Sequence, residues 1–397
     1  MNLILFLSIP AALMVVFGLP SIAIGMFFYF ALYISFHMKN IFKSFSIQKS
    51  YFQFLIICSA YILLNIIPPY DIGSFFKSTF SFLLLTLFFI GATYFFSNLA
   101  KDLDICEKKI IQNAYKLILF IGICSIIGLI PTFVTLYNPK LVFPFLEPSH
   151  FTIAFSLIST TMICISESRY RPYILLTTLF FSIAFPSTLC LAVFCMQILL
   201  LISSAKMFWR VFLLFILIAP FVFIFFDLDY YLLRITGGAE DTINLTNLIY
   251  LQGWESIISS FKDSFGFGLG FQMMGEEYSG PIAELLCEVH YMCANNQDGS
   301  FFLSKITTEF GIIGLFISIF FLYMSFRSMI LLRHHISTSE KAQKMFSTSE
   351  VFGLSSLFVF SAELLLRGYG YFSPTFLIAL YYVYLPLKYK ITSLKVS

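Results

Sequence analysis

The chain alternates between long apolar segments and short polar connections. A helix needs roughly 20 apolar residues to cross about 30 Å of hydrocarbon, so apolar runs bounded by charged residues, Pro or Gly predict membrane spans. Twelve such runs occur, at residues 2–16, 19–36, 51–67, 79–96, 115–136, 151–165, 173–185, 187–203, 211–226, 311–330, 351–366 and 375–387. No basic segment precedes the first run and a second follows at once, so we expect a helical hairpin there instead of a cleaved signal peptide.

The run from 173 to 203 is the hardest to divide into spans. It is too long for one comfortable helix, and only Pro186 and Ser187 interrupt it. A single helix would leave the basic residues before it and after it on opposite sides of the membrane, whereas two short helices keep them on one side. The sequence therefore predicts two short helices joined by a tight outer turn.

Composition agrees with a membrane protein and sets the fold class. Hydrophobic residues make up 59% of the chain and charged residues 11%, and the mean hydropathy is +0.89. These values are far from those of a soluble domain. The formal net charge of +3 is too small to indicate a nucleic-acid partner, which needs a clustered basic face. We therefore predict an all-α, polytopic integral membrane protein with about twelve spans, surrounded by the lipid bilayer.

The basic residues indicate the orientation of the spans, because Lys and Arg are retained on the cytoplasmic side of a membrane. With the N-terminus inside, sixteen of them fall in inner connections, and Lys116 and Arg327 lie within spans near their inner ends. The outer connections hold six: Lys77, Lys140, Arg234, Lys262, Lys305 and Arg367. This tally predicts a multi-pass membrane protein with both termini in the cytoplasm.

Residues 228–310 form one long outer segment, a predicted periplasmic loop that separates residues 1–227 from residues 311–397. The loop carries eleven acidic residues and only three basic ones. A surface that simply faces water can show the same excess of acidic residues, so the excess alone does not indicate a binding site. Cys287 and Cys293 are its only cysteines. Because this side of the membrane is oxidising, we predict a disulfide between them.

Polar residues at the outer face are the candidates for chemistry, since ionisable groups near lipid are costly and usually functional. The first place is the entry to the sixth span, where Glu147 and His150 stand three residues apart. Pro148 and Ser149 suit the first turn of a helix, so both side chains are expected at its mouth. In the plainer alternative, Glu147 interacts with the helix dipole and His150 is an interfacial residue.

The second place is the loop itself. Tyr250, Gln252 and Trp254 combine aromatic faces with an amide, the groups that a sugar ring requires. The glycine cluster at 266–271 lacks the strand-to-helix context of a dinucleotide site and predicts a tight, close-packed turn. Arg234, His290 and the segment Asp298-Gly299-Ser300-Phe301 are the other polar features of the loop.

The third place is Arg367-Gly368-Tyr369-Gly370-Tyr371, at the outer end of the eleventh span. Arg367 is suited to a diphosphate, because a guanidinium holds phosphate oxygens in a bidentate fork and an ammonium does not. Glu363 lies one turn earlier, at the spacing that pairs two side chains on one helix face. A purely structural ion pair between Glu363 and Arg367 is the alternative.

The order and sidedness of these elements resemble the O-antigen polymerases (Wzy type), within the wider group of O-antigen ligases and polymerases. The resemblance covers most of the chain and implies a membrane-embedded glycosyltransferase with a GT-C-like arrangement of helices. It rests on the many spans, the large late outer loop and five motifs: Glu147-Pro148-Ser149-His150, Gln252-Gly253-Trp254, Gly268-Leu269-Gly270, Asp298-Gly299-Ser300-Phe301 and Arg367-Gly368-Tyr369.

The resemblance implies transfer of a growing glycan from undecaprenyl diphosphate onto a sugar hydroxyl of a new undecaprenyl-diphosphate-linked oligosaccharide. Such a reaction benefits from a general base and from fixed cations for the leaving diphosphate. The candidate bases are Glu147 and His150, and the candidate cations are Arg234, Arg367 and His290. Gln252, Trp254, Asp298 and Tyr369 would line the sugar path. No cofactor is implied, and a chain-length regulator and a flippase would be pathway partners.

Two acidic pairs raise the alternative of a metal site. Asp227-Leu228-Asp229 opens the outer loop and resembles the pair that some lipid-linked glycosyltransferases use, since hard cations bind paired carboxylates. A second pair, Asp102-Leu103-Asp104, falls on the cytoplasmic side in this topology. Because the pattern arises so easily by chance, we predict no metal.

Three other functions compete with a polymerase. An O-antigen ligase would use the same donor and a similar site but transfer the glycan to lipid A core. A lipid-linked oligosaccharide flippase would be expected to show two related halves, charges inside the bundle and short loops. Here the halves differ and the polar residues concentrate in one outer loop. A structural assembly partner would have little need for Glu147, His150, Arg234 and Arg367 at one face.

Overall fold

The protein is all-helical in the parts of the chain that the structure describes. The structure, a computed structural model, describes residues 2–19, 22–45, 72–106, 108–128, 142–145, 147–185, 187–202, 245–275, 280–290, 300–339, 345–368 and 370–389. Within these ranges the only extended pairing is an isolated bridge between Val142 and Phe145. The predicted spans at 51–67 and 211–226 lie outside the described residues.

The helices follow one another with short connections. Up to residue 202 they are α1 (Asn2–Phe17), α2 (Ile22–Phe45), α3 (Ile72–Ile105), α4 (Lys108–Ile126), α5 (Pro148–Ile165), α6 (Arg171–Ala184) and α7 (Thr188–Leu201). After residue 244 they are α8 (Leu245–Asp263), α9 (Pro281–His290), α10 (Phe302–Ser339), α11 (Thr348–Leu365), a 3₁₀ turn (Gly370–Phe372), α12 (Pro374–Tyr382) and α13 (Leu385–Lys388).

Five of the described helices, α3, α4, α5, α10 and α11, are long and apolar enough to cross a membrane. Shorter apolar helices, α1, α6 and α7, accompany them. This architecture is compatible with a membrane protein, as the composition predicts. The count of twelve spans and their orientation stay predictions.

The predicted division of residues 173–203 into two helices is confirmed. α6 and α7 pack against each other, and Pro186 between them lies outside the described residues. The hydroxyl of Ser187 caps α7 by accepting a hydrogen bond from the backbone N–H of Cys190 at 3.4 Å. The Cys190 thiol in turn contacts the Thr178 carbonyl at 3.6 Å, which ties the two helices together.

The centre of the bundle is formed by α5 and α11. α11 packs against α3, α5, α7, α10 and α12, and almost every side chain of α5 and α11 is buried. Many of these buried residues are small and hydroxylated, so the helices can approach closely and form hydrogen bonds. Such contacts matter in a membrane, because the hydrophobic effect does not drive helices together in lipid. Gln197 of α7, for example, donates to Ser159 Oγ at 2.8 Å and to Thr160 Oγ1 at 3.1 Å.

One end of the bundle is closed by capping interactions. The Asp104 carboxylate accepts hydrogen bonds from the backbone N–H (3.0 Å) and hydroxyl (2.9 Å) of Ser349, at the start of α11. Arg171 donates from Nε to the carbonyl groups of Ile163 and Ser166, at the end of α5. Asp104 therefore has a structural role as a helix cap.

The other end carries the starts of α5 and α10 and the end of α11. α5 and α11 have 18 residues each, so about 27 Å separates the two ends at 1.5 Å per residue. We call the end with Glu147 and Arg367 the site end, and the end with Asp104 and Arg171 the opposite end.

α10 is interrupted at Gly311, whose backbone (φ 56°, ψ −132°) is not helical. The backbone N–H groups of Leu269 and Gly270 donate to the carbonyl groups of Thr308 and Glu309 at this break, both at 2.9 Å. The glycine cluster therefore joins the broken helix through the main chain of both segments. Because a residue with these angles must lack a side chain, Gly311 determines where α10 bends.

The glycine cluster forms the close-packed turn that the sequence predicts. Gly266, Gly268 and Gly270 all have positive φ, at 84°, 88° and 102°. A Cβ atom at Gly268 would lie only 2.5 Å from the Glu309 carbonyl oxygen and from the Gly311 nitrogen. The turn thus fixes the end of α8 onto α10 at a distance that only glycine permits.

Candidate functional site

Two residues from distant parts of the chain form an ion pair at the site end. Arg367 Nη2 lies 2.9 Å from Glu147 Oε2, and the two side chains are 26% and 40% exposed. The Ser149 hydroxyl also donates to Glu147 Oε2, at 3.1 Å. The first and third sequence-predicted places are therefore in direct contact, with a cation, a carboxylate and a hydroxyl within reach of solvent.

Local structure explains why Glu147 points to Arg367. Glu147 is the residue before α5, with extended backbone (φ −140°, ψ 158°), and Pro148 occupies the first turn. Its carboxylate forms no capping hydrogen bond to the helix it precedes. The main contact of Glu147 is therefore with Arg367, and the alternative role as a partner of the helix dipole does not account for that contact.

Arg367 lies beyond α11, which ends at Leu365, so its predicted pairing with Glu363 on one helix face does not apply. Its neighbour Gly368 donates from the backbone to the Ser300 carbonyl at 3.1 Å. A Cβ atom on Gly368 would lie 2.6 Å from the backbone nitrogen of Phe302. The segment after α11 is thus pressed onto the start of α10, and this contact holds Arg367 in place.

Glu363 is buried two residues before the end of α11 and accepts a hydrogen bond from Thr375. Thr375 also pairs with the hydroxyl of Ser373 at 2.8 Å, at the start of α12. Glu363 and Thr375 line a small cavity between α5, α7, α11 and α12. The carboxylate therefore joins α11 to α12 inside the bundle.

His150 is more deeply placed than Glu147. It is 9% exposed and lines a pocket with Phe145, Ile153, Pro374 and Thr375. Of the two predicted bases, Glu147 is the more accessible.

An aromatic cluster from the second predicted place lies beside this pair. The rings of Tyr250 and Trp254 on α8 lie 4.7 and 5.3 Å from that of Phe301, measured between centroids. Tyr250 donates to the carbonyl of Leu365 at 3.3 Å, two residues before Arg367. Gln252, by contrast, is buried, and Trp254 is 40% exposed. The segments named by the sequence thus meet at the site end.

A buried ion pair lies beneath the segment that follows Arg367, and the sequence analysis did not single it out. Lys305 Nζ and Glu309 Oε1 are 3.2 Å apart, with side-chain exposures of 3% and 0%. The Lys305 ammonium lies 5.7 Å from the centre of the Tyr371 ring. The described residues offer no hydrogen-bond donor in good geometry to either oxygen of Glu309. A signal was present, since Lys and Glu four residues apart directly precede an apolar run.

Other predicted residues cannot be placed. Arg234, Asp298, Tyr369 and the acidic pair of Asp227 and Asp229 lie outside the described residues. His290 is the last residue of α9, and its side chain is likewise outside the described part. Cys287 is disulfide-bonded, and its predicted partner Cys293 lies outside the described residues, so the pairing stays a prediction.

The described side chains contain no group of three or more His, Cys, Asp and Glu residues placed to hold a metal ion. The expectation that the reaction needs no metal stays a prediction.

No protein-family model, no curated protein and no solved structure matches the chain. The function must therefore be argued from the site itself.

Proposed function

We propose that this protein is a membrane-embedded glycosyltransferase that polymerises lipid-linked surface glycan, of the O-antigen polymerase (Wzy) type. The observation that carries the proposal is the contact between Arg367 and Glu147, which brings a phosphate-binding cation and a carboxylate together at one end of an apolar bundle. The resemblance of the sequence motifs to those of that family suggests the substrate class.

In the proposed reaction the anomeric carbon of the donor glycan is attacked by a sugar hydroxyl of the acceptor. A new carbon–oxygen bond forms, and the bond between the anomeric carbon and the donor's diphosphate breaks. The hydroxyl proton passes to a base, and undecaprenyl diphosphate leaves with the bonding electrons. The site must therefore accept one proton and stabilise one developing anion.

Arg367 is suited to the developing anion. A guanidinium carries five N–H donors, and the contact with Glu147 uses a donor on Nη2, so the remaining donors can reach phosphate oxygens. Partial exposure lets a diphosphate approach, while the contact of Gly368 with α10 holds the segment in place. Preorganised cations of this kind lower the barrier because they need little rearrangement in the transition state.

We assign the proton acceptor to Glu147 and a positioning role to His150. The Glu147 carboxylate is 40% exposed and held by Arg367 and Ser149, so it can meet a hydroxyl that arrives with the acceptor. His150 is buried in the first turn of α5 and lines a pocket at the same end of the bundle. A positioned base of this type contributes roughly 10²- to 10⁴-fold to the rate.

The proposed topology places the site end on the periplasmic face of a bacterial inner membrane, with twelve spans and both termini in the cytoplasm. The distribution of basic residues supports it. Arg171, Arg333 and Lys388 lie toward the opposite end, where Arg333 donates to the carbonyl at the end of α7 and Lys388 pairs with Glu350 at the start of α11. Retention of Lys and Arg on the cytoplasmic side would place that end inside.

The proposal can be tested with purified protein in liposomes and an undecaprenyl-diphosphate-linked repeat unit. A polymerase makes longer lipid-linked glycans and releases undecaprenyl diphosphate. Arg367→Ala and Glu147→Gln should abolish both products. Glu288→Gln, which removes an exposed carboxylate of α9, is the matched control and should keep activity.

The same assay separates the competing functions. A ligase would not lengthen the lipid-linked glycan. When lipid A core is added, it would transfer the glycan to that core. A flippase would move the substrate between leaflets without changing glycan length. Either result would overturn the proposed polymerase.

A further inference from the structure

The helix α8 turns an apolar stripe away from the rest of the protein. Its outward side chains include Leu251, Trp254 and Ile258, which are 48%, 40% and 56% exposed. Spacings of three and four residues put them on one face of a helix. Lys262 follows four residues later on the same face and is also exposed.

The side of α8 that packs inward over the same turns is small and polar. Its buried residues are Gln252, Gly253, Ser256, Ser259 and Ser260. These hydroxyl groups find partners within the protein: Ser260 donates to the Thr308 carbonyl at 2.6 Å, and Ser256 donates to the Gln252 carbonyl at 2.9 Å. In water this arrangement is the reverse of a stable amphipathic helix, because exposed apolar area costs about 25 cal/mol per Å².

The apolar stripe continues into the glycine turn and from there onto a predicted span. Phe265 and Phe267 are 91% and 71% exposed on either side of Gly266. The Gly266 carbonyl accepts a hydrogen bond from the backbone of Ile312 at 2.9 Å. Ile312 follows the break at Gly311 within the membrane-length helix α10 and is itself exposed. Exposed apolar side chains therefore continue from α8 to α10, although the exposed residues Lys262 and Asp263 separate Ile258 from Phe265.

We infer that the α8 apolar face, made by Leu251, Trp254, Ile258, Phe265 and Phe267, is seated in the acyl chains of the membrane leaflet at the site end. The occupant is bilayer lipid because the face is continuous with the exposed apolar surface of α10. Trp254 within this face and Lys262 beside it are residue types that lie at membrane interfaces, where Lys extends its ammonium to the headgroups. α8 is thus an interfacial helix and not part of a water-filled loop domain.

This seating changes the role of Trp254. The sequence resemblance places Trp254 in a sugar path, whereas a lipid-facing indole is unavailable to a water-borne sugar. Its inward contacts, with Tyr250 and Phe301, lie next to the segment that carries Arg367. If the proposed function holds, a lipid-linked substrate can bring its diphosphate to Arg367 sideways from the leaflet, along α8. The membrane seating itself does not depend on that function.

The test uses tryptophan fluorescence in lipid nanodiscs. Trp209 and Trp254 are the two tryptophans of the chain, so Trp209→Phe leaves Trp254 as the only emitter. Phospholipids brominated on their acyl chains should then remove most of the Trp254 emission, and aqueous iodide should remove little. Strong quenching by iodide with weak quenching by brominated lipid would overturn the inference, as would protection from both quenchers, which indicates a protein partner.

A second set of variants keeps the inference testable if one variant fails to fold. In a background without native tryptophan (Trp209→Phe, Trp254→Phe), Ile258→Trp and Phe267→Trp should behave as Trp254 does. Glu288→Trp, on the exposed polar side of α9, should show the opposite preference for iodide. Equal lipid quenching at all three positions would contradict a specific seating of the α8 apolar face. Because no glycan substrate is used, failure here leaves the polymerase assay untouched.

Discussion

The guanidinium of Arg367 lies 2.9 Å from the carboxylate of Glu147, although 220 positions of the sequence separate them. Arg367 follows the end of α11, and Glu147 precedes the start of α5. These two helices are the most buried long helices of the bundle, so their packing sets the distance between the two side chains. The contact therefore depends on the core of the protein and not on a flexible loop.

Removing either partner of this pair should abolish activity without unfolding the protein. Both side chains are partly exposed, and such pairs contribute only about 0.2–1 kcal/mol to stability. Arg367→Lys should also fail in catalysis, because an ammonium cannot reproduce the bidentate fork. Polymerisation rates and thermal unfolding of Arg367→Lys and Glu147→Gln measure the two effects separately. A variant that keeps the wild-type rate would show that the residue it replaces has no role in catalysis.

Gly311→Ala should prevent stable folding. A methyl group there would collide with the carbonyl oxygen of Gly266, and the backbone angles exclude side chains. Gly128→Ala is the matched control, because Gly128 also has positive φ (71°) but nothing within 4 Å of the added atom. We expect the control to lose only about 1 kcal/mol from its backbone conformation. Yields and melting temperatures in detergent compare the two, and equal losses would contradict the role of the close contact.

Lys305 and Glu309 should be strongly coupled in stability. Removing one member of a buried ion pair leaves an uncompensated charge and typically costs about 3–5 kcal/mol. We therefore expect Lys305→Met and Glu309→Met to lower the melting temperature sharply. The double variant Lys305→Met/Glu309→Met should recover much of the loss, because it buries no charge. A double variant as unstable as the sum of the single ones would contradict the coupling.

Asp104 should matter for stability and not for chemistry. Its carboxylate caps α11 at the opposite end, and loss of a helix cap typically costs about 1 kcal/mol. Asp104→Ala should therefore melt earlier yet polymerise glycan at the wild-type rate once folded. EDTA should leave the wild-type rate unchanged. Loss of activity with EDTA, or in a folded Asp104→Ala protein, would indicate a metal site.

Positions of the helices could be predicted from the sequence where apolar runs are long. The runs at 151–165 and 351–366 correspond to α5 and α11 within a few residues. The predicted span at 311–330 begins at the break in α10 at Gly311, and a further helical segment that starts at Phe302 precedes the break. Its first turns bury Ser304, Lys305 and Glu309, and a hydropathy pattern assigns such polar residues to water.

The contacts within the site could not be predicted in the same way. Spacing on one helix suggested Glu363 as the partner of Arg367, but the helix ends before Arg367 and the chain turns toward Glu147. Which residues meet depends on packing between α5, α10 and α11, and a single sequence does not encode that packing locally. The same limit applies to α8. Its exposed apolar face cannot be predicted from the sequence, because the sequence does not show which side of the helix packs inward.

The most direct test of the central claim is lipopolysaccharide banding from a strain that lacks this protein. We predict core plus a single repeat unit in the deletion strain, a full ladder after complementation with the wild type, and no ladder with Arg367→Ala or Glu147→Gln at normal expression. Bare core in the deletion strain would favour a ligase or a flippase. A full ladder in the deletion strain would contradict a polymerase altogether, and full ladders with both variants would contradict the assigned site.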